Sequence, residues 1–298
     1  GFSLPLCVAS VMGGAMFGDN LSFISDTTIA ACQGQGCQMK DKFRENFKIA
    51  LPAALVTLVI ILVLSLGTDI SGTVQNDYNL LELIPYLIVL VGGIVGINVF
   101  IVLLLGILSG SIIVVAEGAV AATDLLGNMG TGAAGMFETT MVAVLVSAIC
   151  ALIRENGGFV ALLNGIKRLF RSRKGGQLGM GLLVGAMDIA TANNTVAIVM
   201  ANPIAHEMAE TYNVSRRKTA SILDTFSCVF QGVIPYGAQM LVAISACTEL
   251  GFQVSAFQIM PFLFYPFFLL ISSLVFIFFV PDDRGYVPDH AAYHSSSS

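Results

Sequence analysis

Charge is scarce in this sequence. Asp, Glu, Lys and Arg make up 11% of its 298 residues, against roughly a quarter in soluble domains, so it cannot clothe a water-soluble surface. Tryptophan is absent and there are three histidines. His206 falls on a polar helix end, and His290 and His294 lie in the tail, so no histidine cluster for metal or acid–base chemistry can be assembled. The six cysteines (7, 32, 37, 150, 228, 247) form no CxxC pair; the nearest two, Cys32 and Cys37 in "CQGQGC", read as small core or loop residues. Lys and Arg are missing from two whole stretches, 67–79 and 117–132. The net charge of −5 says little about partners, because the few charges are segregated by side of a membrane rather than spread over a surface, and no nucleic-acid reading survives this composition.

What is present is apolar: 56% of the chain. Several runs approach or exceed the ~20 residues an α-helix needs to cross hydrocarbon, and they lack the short alternating pattern of barrel strands. The fold class is therefore all-α, a polytopic membrane protein in contact with lipid. The first element runs from Phe2 to Cys32 and is interrupted by "GDNLSFISDTT"; a charged segment, "KDKFRENFK", precedes a span over 47–66. Leu83 to Gly118 reads as two crossings that break near "GGIVGIN", followed by a loop at 117–132 and a span over 133–153. Apolar residues at helical spacing with five cations, between Gly157 and Gly176, suggest a helix lying in the interface plane. A re-entrant hairpin is expected over 178–208, a second broken helix over 219–248 around "QGVIPYG", and a final span over 258–280.

If the hairpin dips in and returns while every other span crosses, all fourteen Lys and Arg fall on one side. They are Lys40, Lys42, Arg44, Lys48, Arg154, Lys167, Arg168, Arg171, Arg173, Lys174, Arg216, Arg217, Lys218 and Arg284. The positive-inside rule makes that side the cytoplasm and places the chain in the cytoplasmic (inner) membrane. Gly18–Cys32 can be laid on Gly232–Ala246, and Phe47–Leu66 on Pro261–Val280, at one common offset. The two broken helices then cross in opposite directions, which is an inverted repeat of the kind found in secondary transporters. Residues 1–66 are the remainder of the first repeat, 67–80 an extracytoplasmic loop, 81–280 the second repeat and 281–298 a disordered tail. By comparison with the second copy, roughly 130 residues of the first repeat are expected upstream.

The three interruptions carry the chemistry. The first holds Asp19, Asn20, Ser22, Ser25, Asp26, Thr27 and Thr28; the second holds Asp188, Thr191, Asn193, Asn194 and Thr195. The third holds Gln231, Pro235, Tyr236, Gly237 and Gln239, with Asp224 and Ser227 earlier on the same span. Irregular backbone at membrane depth is tolerated only against protein or a wet cavity. A charged aspartate at the bilayer centre costs about 2.5–3.5 kcal/mol, so each needs a compensating partner. Asp224 could find one in Arg217 or Lys218. Hydroxyls, amide oxygens, carboxylates and freed carbonyls are hard ligands suited to a small alkali cation, and Na+ is assigned to Asp19 and Asp26. A desolvated carboxylate holds a proton or a cation but not both well, so competition alone couples the two in opposite directions.

"FGDNLSFISDTT" resembles the F-G-D-x-x-S-P-x-S-D-T-T signature of NhaC-type sodium/proton antiporters, a branch of the ion transporter superfamily. "GAMDIATANNTVAIV" and "GVIPYGAQML" resemble that family's re-entrant tip and proline break. The resemblance implies two inverted repeats and exchange of Na+ for H+ without a cofactor. It also implies that Asp19, Asn20, Ser25, Asp26, Thr27 and Thr28 line the cation pathway with Asn193, Asn194 and Thr195 at the tip. Phe23 stands where the signature has proline, and Tyr236 with Gly237 where it has Trp-Asn. That variation leaves open Na+-coupled carriage of a small amino acid or organic acid, held near Tyr236 and Gln239. An intramembrane aspartyl protease built on two of Asp19, Asp26, Asp188 and Asp224 is the remote reading, although its YD and GxGD patterns are absent. The expectation is thus a transporter rather than an enzyme, with a homo-oligomer left open.

Overall fold

The computed structural model of the protein describes residues 3–23, 25–66, 79–95, 97–135 and 155–280, with 141, 144, 145, 148, 149 and 152 between them. The expected span over 133–153, the loop over 67–80 and the tail over 281–298 lie largely or wholly outside the described residues. Among those described, every regular element is helical.

Helix α1 (Leu4–Asn20) is capped by Ser3, whose hydroxyl accepts from Leu6 N at 3.4 Å. Pro5 sits in the first turn, where its missing N–H leaves no hydrogen bond unmade. The chain restarts as α2 (Asp26–Gln35) because Ser25, in extended conformation, accepts from Thr28 N at 3.4 Å. It stops at Gly36, whose φ of 65° lets Cys37 N reach back to Cys32 O at 3.1 Å in a Schellman-type closure. Helix α3 (Met39–Ser65) follows, 27 residues and about 40 Å long. It begins well before Phe47, because "KDKFRENFK" is helical and its residues at 42, 46, 49, 50, 53 and 57 form one buried stripe.

A 3-10 turn (Leu80–Leu83) leads into α4 (Ile84–Val95) and α5 (Val99–Ala116), the latter capped by Asn98 onto Phe100 N at 3.0 Å. Gly92 lies against Val102, Gly106 against Val89 and Gly110 against Pro85, so the pair is an antiparallel hairpin. With 12 and 18 residues its helices are shorter than the two crossings expected there. The loop expected at 117–132 is in fact helical over α6 (Ala122–Gly135). Glycines suggested otherwise, but each costs a helix only about 1 kcal/mol, and Asp124 favours the first turn.

Helix α7 (Gly158–Leu169) forms where the interfacial helix was expected. Helices α8 (Arg173–Thr191) and α9 (Asn194–Thr211) fold back on each other, bringing Tyr212 against Gly176. Then come α10 (Arg216–Val233) and α11 (Ala238–Glu249), bent by 41° across the proline break. The last span is bent too, a correction to the uninterrupted helix expected over 258–280. Helix α12 (Ala256–Ile259) and a 3-10 turn (Met260–Phe262) meet α13 (Phe264–Phe279) at 50°. Pro266 has no N–H for the carbonyl of Phe262 and its ring crowds that carbonyl, which favours a bend at this point.

Among the described residues α3 is long and apolar enough to cross a membrane unbroken, and α10–α11 and α12–α13 pass the same test as bent pairs. The order helix, break, helix in α1–α2 recurs in α10–α11; the element that follows is the unbroken α3 in the first case and the bent pair α12–α13 in the second. The interior is packed around α8, α9, α10 and α2, with Met180, Ile198, Ala201, Leu223 and Phe226 wholly or almost wholly buried. Gly181 lies under the Phe226 ring and Gly185 under Phe230, an equal advance showing that α8 and α10 run in the same direction. A Cβ on Gly181 would come within 2.6 Å of the immobile Phe226 ring. Gly181→Ala is therefore expected to destabilise the folded protein by about 1–3 kcal/mol. Gly14→Ala, with nothing within 4 Å, leaves it unchanged or slightly stabilised; thermal unfolding of both variants in detergent checks this.

Candidate functional site

Where α1 ends and α2 begins, short polar side chains replace the helical ladder. Asp19 and Asn20 occupy the last turn of α1, and Asp26, Thr27 and Thr28 the first turn of α2, so the break itself spans 21–25. Its backbone is held by its own side chains: Ser25 N donates to Ser22 Oγ at 3.1 Å, and Thr28 Oγ1 donates to Ser22 O at 3.1 Å. Thr27 Oγ1 lies 2.5 Å from Ser25 Oγ and donates to Asp19 Oδ2 at 3.3 Å. Asp19 is half-buried and Asp26 exposed.

Behind this break sits a charged pair that sequence reasoning did not find. Lys42 and Asp224 are 0% and 1% exposed and 2.8 Å apart. The Lys42 ammonium also donates to Thr28 Oγ1 at 2.6 Å. Asp224 Oδ2 further accepts from Asn46 Nδ2 at 2.6 Å and Asn20 Nδ2 at 3.3 Å. Asn46 in turn donates to Asn20 O at 2.8 Å and accepts from Ser221, while Tyr265 OH donates to Asn20 Oδ1 at 2.8 Å. A buried ion pair survives only when its remaining hydrogen-bonding groups are satisfied, and this shell does that for Asp224 Oδ2. Oδ1 has no hydrogen-bond partner among the described residues. Two expectations are corrected: Lys42 is not a solvated cytoplasmic cation, and Asp224 is neutralised by it rather than by Arg217 or Lys218. Arg217 faces Glu45 at 3.4 Å instead. The signal was available in the helical spacing of Lys42 and Asn46 with the buried stripe of α3; counting Lys42 as part of a charged segment hid it.

The α8–α9 tip comes to the same place. Ala192 takes a left-handed φ of 54°, uncommon for a residue with a Cβ, and its carbonyl accepts from Gln231 Nε2 at 3.1 Å. Asn193 restarts the chain by accepting from Val196 N at 3.0 Å. Thr195 Oγ1 donates to Asp26 Oδ2 at 2.6 Å, joining the tip to the first break. Tyr236 OH donates to Ile189 O at 3.0 Å, joining it to the third. Thr191 spends its hydroxyl on the carbonyls of Met187 and Asn193, and Asn194 accepts from Thr195 N. Pro235 and Gly237 shape the bend, since a Cβ on Gly237 would sit 3.1 Å from Gln231 O. Gln239 is half-buried, its Oε1 without a partner, and it joins neither cluster. Asp188 is fully buried one turn before the tip, facing Gln231, with no side-chain partner for its carboxyl among the described residues.

The profile of the Na+/H+ antiporter family matches residues 78–280. The chain belongs to that family. The matched region carries the tip, Asp188, Asp224 and the proline break; Asp19, Asp26 and Lys42 precede it. This antiporter-family chain is also similar to the Na(+)/H(+) antiporter NhaC of Bacillus subtilis (strain 168), 24% identical over 315 residues, covering 93% of this chain and 66% of that relative. It thus spans about two-thirds of the length of that protein. No solved structure matches it.

Removing one partner of a buried ion pair leaves the other uncompensated, typically at about 3–5 kcal/mol. Lys42→Met and Asp224→Asn are each expected to lower stability by that order. The double variant recovers much of the loss, because it leaves no lone charge. Thermal unfolding of the three variants, read as a double-mutant cycle, checks the coupling.

Proposed function

We propose that this chain exchanges Na+ for H+ across the cytoplasmic membrane as a secondary active transporter. The observation that carries the reading is the charge imbalance where the helix breaks meet. Asp19, Asp26, Asp188 and Asp224 lie on these elements, and the site described above supplies one ammonium, that of Lys42. At membrane depth the remaining carboxyls need protons or cations, each excluding the other. Lys42 is a tethered cation that occupies Asp224; of the three carboxyls left, Asp188 is buried beneath the tip, and Asp19 and Asp26, with Ser25, Thr27 and Thr195, receive the travelling ion. Their hydroxyl and carboxylate oxygens suit an alkali cation, and the carbonyl end of α1 adds negative potential. Asn193 and Asn194 position the tip; Gln231 and Tyr236 fasten it to the break in α10–α11.

Element order and contacts support two copies of opposite direction. Asn20 meets Asp224, while Met16, a turn earlier on α1, lies against Gly232, two turns further along α10. Breaks at matching places in antiparallel helices are the architecture in which a central site is offered alternately to each side. The cytoplasmic side is the end where Lys174 donates to Phe278 O and Lys218 to Val280 O, beside Lys48 and Arg217. For the solute-carrier reading, Tyr236 is already committed to Ile189 O. For the protease reading, Asp224 is held by an ammonium and two amides, where a catalytic pair needs a second carboxyl.

In membrane vesicles the protein should release protons when sodium alone is added, with no organic solute present. Asp26→Asn should abolish this movement while leaving the amount of folded protein unchanged, since Asp26 is exposed and its carboxyl meets Thr195 and Thr27 N alone among the described contacts. Sodium-driven proton flux retained by Asp26→Asn would remove that residue from the mechanism.

A further inference from the structure

Helices α2 and α9 both start at the site and run side by side away from it. Their first turns are joined by Asp26 and Thr195. Further along, Asn202 Nδ2 donates to Ala30 O at 2.8 Å and Gln35 Nε2 to Asn202 O at 3.2 Å, so the pair stays parallel. Between them lies an open groove of about 690 Å³, lined by Ala30, Gln33 and Gly34 on one side and Val199, Asn202 and His206 on the other. Helical register ties this groove to the site. Asp26, Ala30 and Gln33 share one face of α2, and Thr195, Val199, Asn202 and His206 one face of α9, at spacings of three and four. Followed one turn toward the site, the same two faces arrive at Asp26 and Thr195, which are hydrogen-bonded to each other.

At the outer end His206 Nε2 lies 3.6 Å from Glu210, which also faces Arg216 at 3.5 Å. Gly36, closing α2, sits beside the Arg216 guanidinium. This is the cation-rich end of the bundle, the cytoplasmic one by the positive-inside rule. The walls are neither lipid-like nor closed: the amide of Gln33 is exposed, and His206 Nδ1 has no hydrogen-bond partner among the described residues.

We propose that the groove between α2 and α9 is the route by which a hydrated monovalent cation reaches Asp26 from the cytoplasm. This rests on the exchange reading above. Gln33, Asn202 and His206 offer oxygen and nitrogen atoms to the water around the ion, and the Thr195–Asp26 hydrogen bond is the contact the ion must replace. The groove lies beside the close approach of α2 and α9 at Gly34, where a Cβ would sit 2.1 Å from the Asn202 amide.

Val199 is 47% exposed in the middle of the groove, and a thiol there can be tagged. Val199→Cys is treated with a membrane-impermeant, sulfonate-bearing methanethiosulfonate, in inside-out and in right-side-out vesicles. Wild type treated in parallel gives the contribution of the native cysteines, and mass spectrometry gives the extent of labelling. The expected result is labelling from the cytoplasmic face with loss of sodium-driven proton movement relative to the untreated variant, and neither effect from the outer face. Full labelling without loss, no labelling from the cytoplasmic face, or equal labelling from both faces overturns the route. If wild type shows no sodium-driven proton movement before any reagent is added, the exchange reading fails instead, and one-sided labelling still decides whether the groove opens to the cytoplasm.

Discussion

The Lys42–Asp224 pair is the constraint around which the rest is arranged. Two opposite charges with almost no exposure are stable in a protein interior only when held close and surrounded by hydrogen-bond donors and acceptors. Meeting that condition draws Asn20 from α1, Thr28 from α2, Asn46 from α3, and Asp224 and Ser221 from α10 to one point. The break between α1 and α2 is consequently fixed in space, because residues on both of its sides are tied to the pair. Asp19 and Asp26 inherit their positions from it.

The second constraint is that backbone leaving a helix inside an apolar body must find partners for its N–H and C=O groups. Here the breaks satisfy one another. Ser22 and Ser25 serve the first, Gln231 Nε2 takes the carbonyl of the strained Ala192, and Tyr236 reaches Ile189 O. The mutual arrangement makes three weak points into one junction. Each link is one or two hydrogen bonds worth about 0.5–1.5 kcal/mol, in contrast to the dense apolar contact between α8 and α10. The hairpin is packed against α10 and, through α9, against α2 along its length, and its tip is tied to the first break by the Thr195–Asp26 hydrogen bond.

Much of this was legible beforehand. Long apolar runs fixed the all-helical class, and clusters of Asp, Asn, Ser and Thr inside them located all three breaks, because polar side chains that bond to nearby backbone compete with the helical ladder. "DIATANNT" and "VIPYG" end their helices where they were expected to. Other features were not legible. Pro266 bends α13 away from its preceding turn although the run around it is uniformly apolar, and the glycines of α6 looked like a loop because polarity and turn residues were read without their tertiary setting.

The sequence by itself determined that the chain is helical, that its helices are interrupted by oxygen-rich segments, and that acidic groups lie in those segments. These follow from local chemistry: hydrophobic length, periodicity and capping act over a few residues. Only the tertiary structure decided which charge neutralises which. Lys42 belongs to α3 and Asp224 to α10, 182 positions apart, and nothing in the chemistry near either residue distinguishes that pairing from Asp224 with Arg217 or Lys218. The choice is made by how helices pack, since a buried carboxylate takes the cation that packing brings within reach.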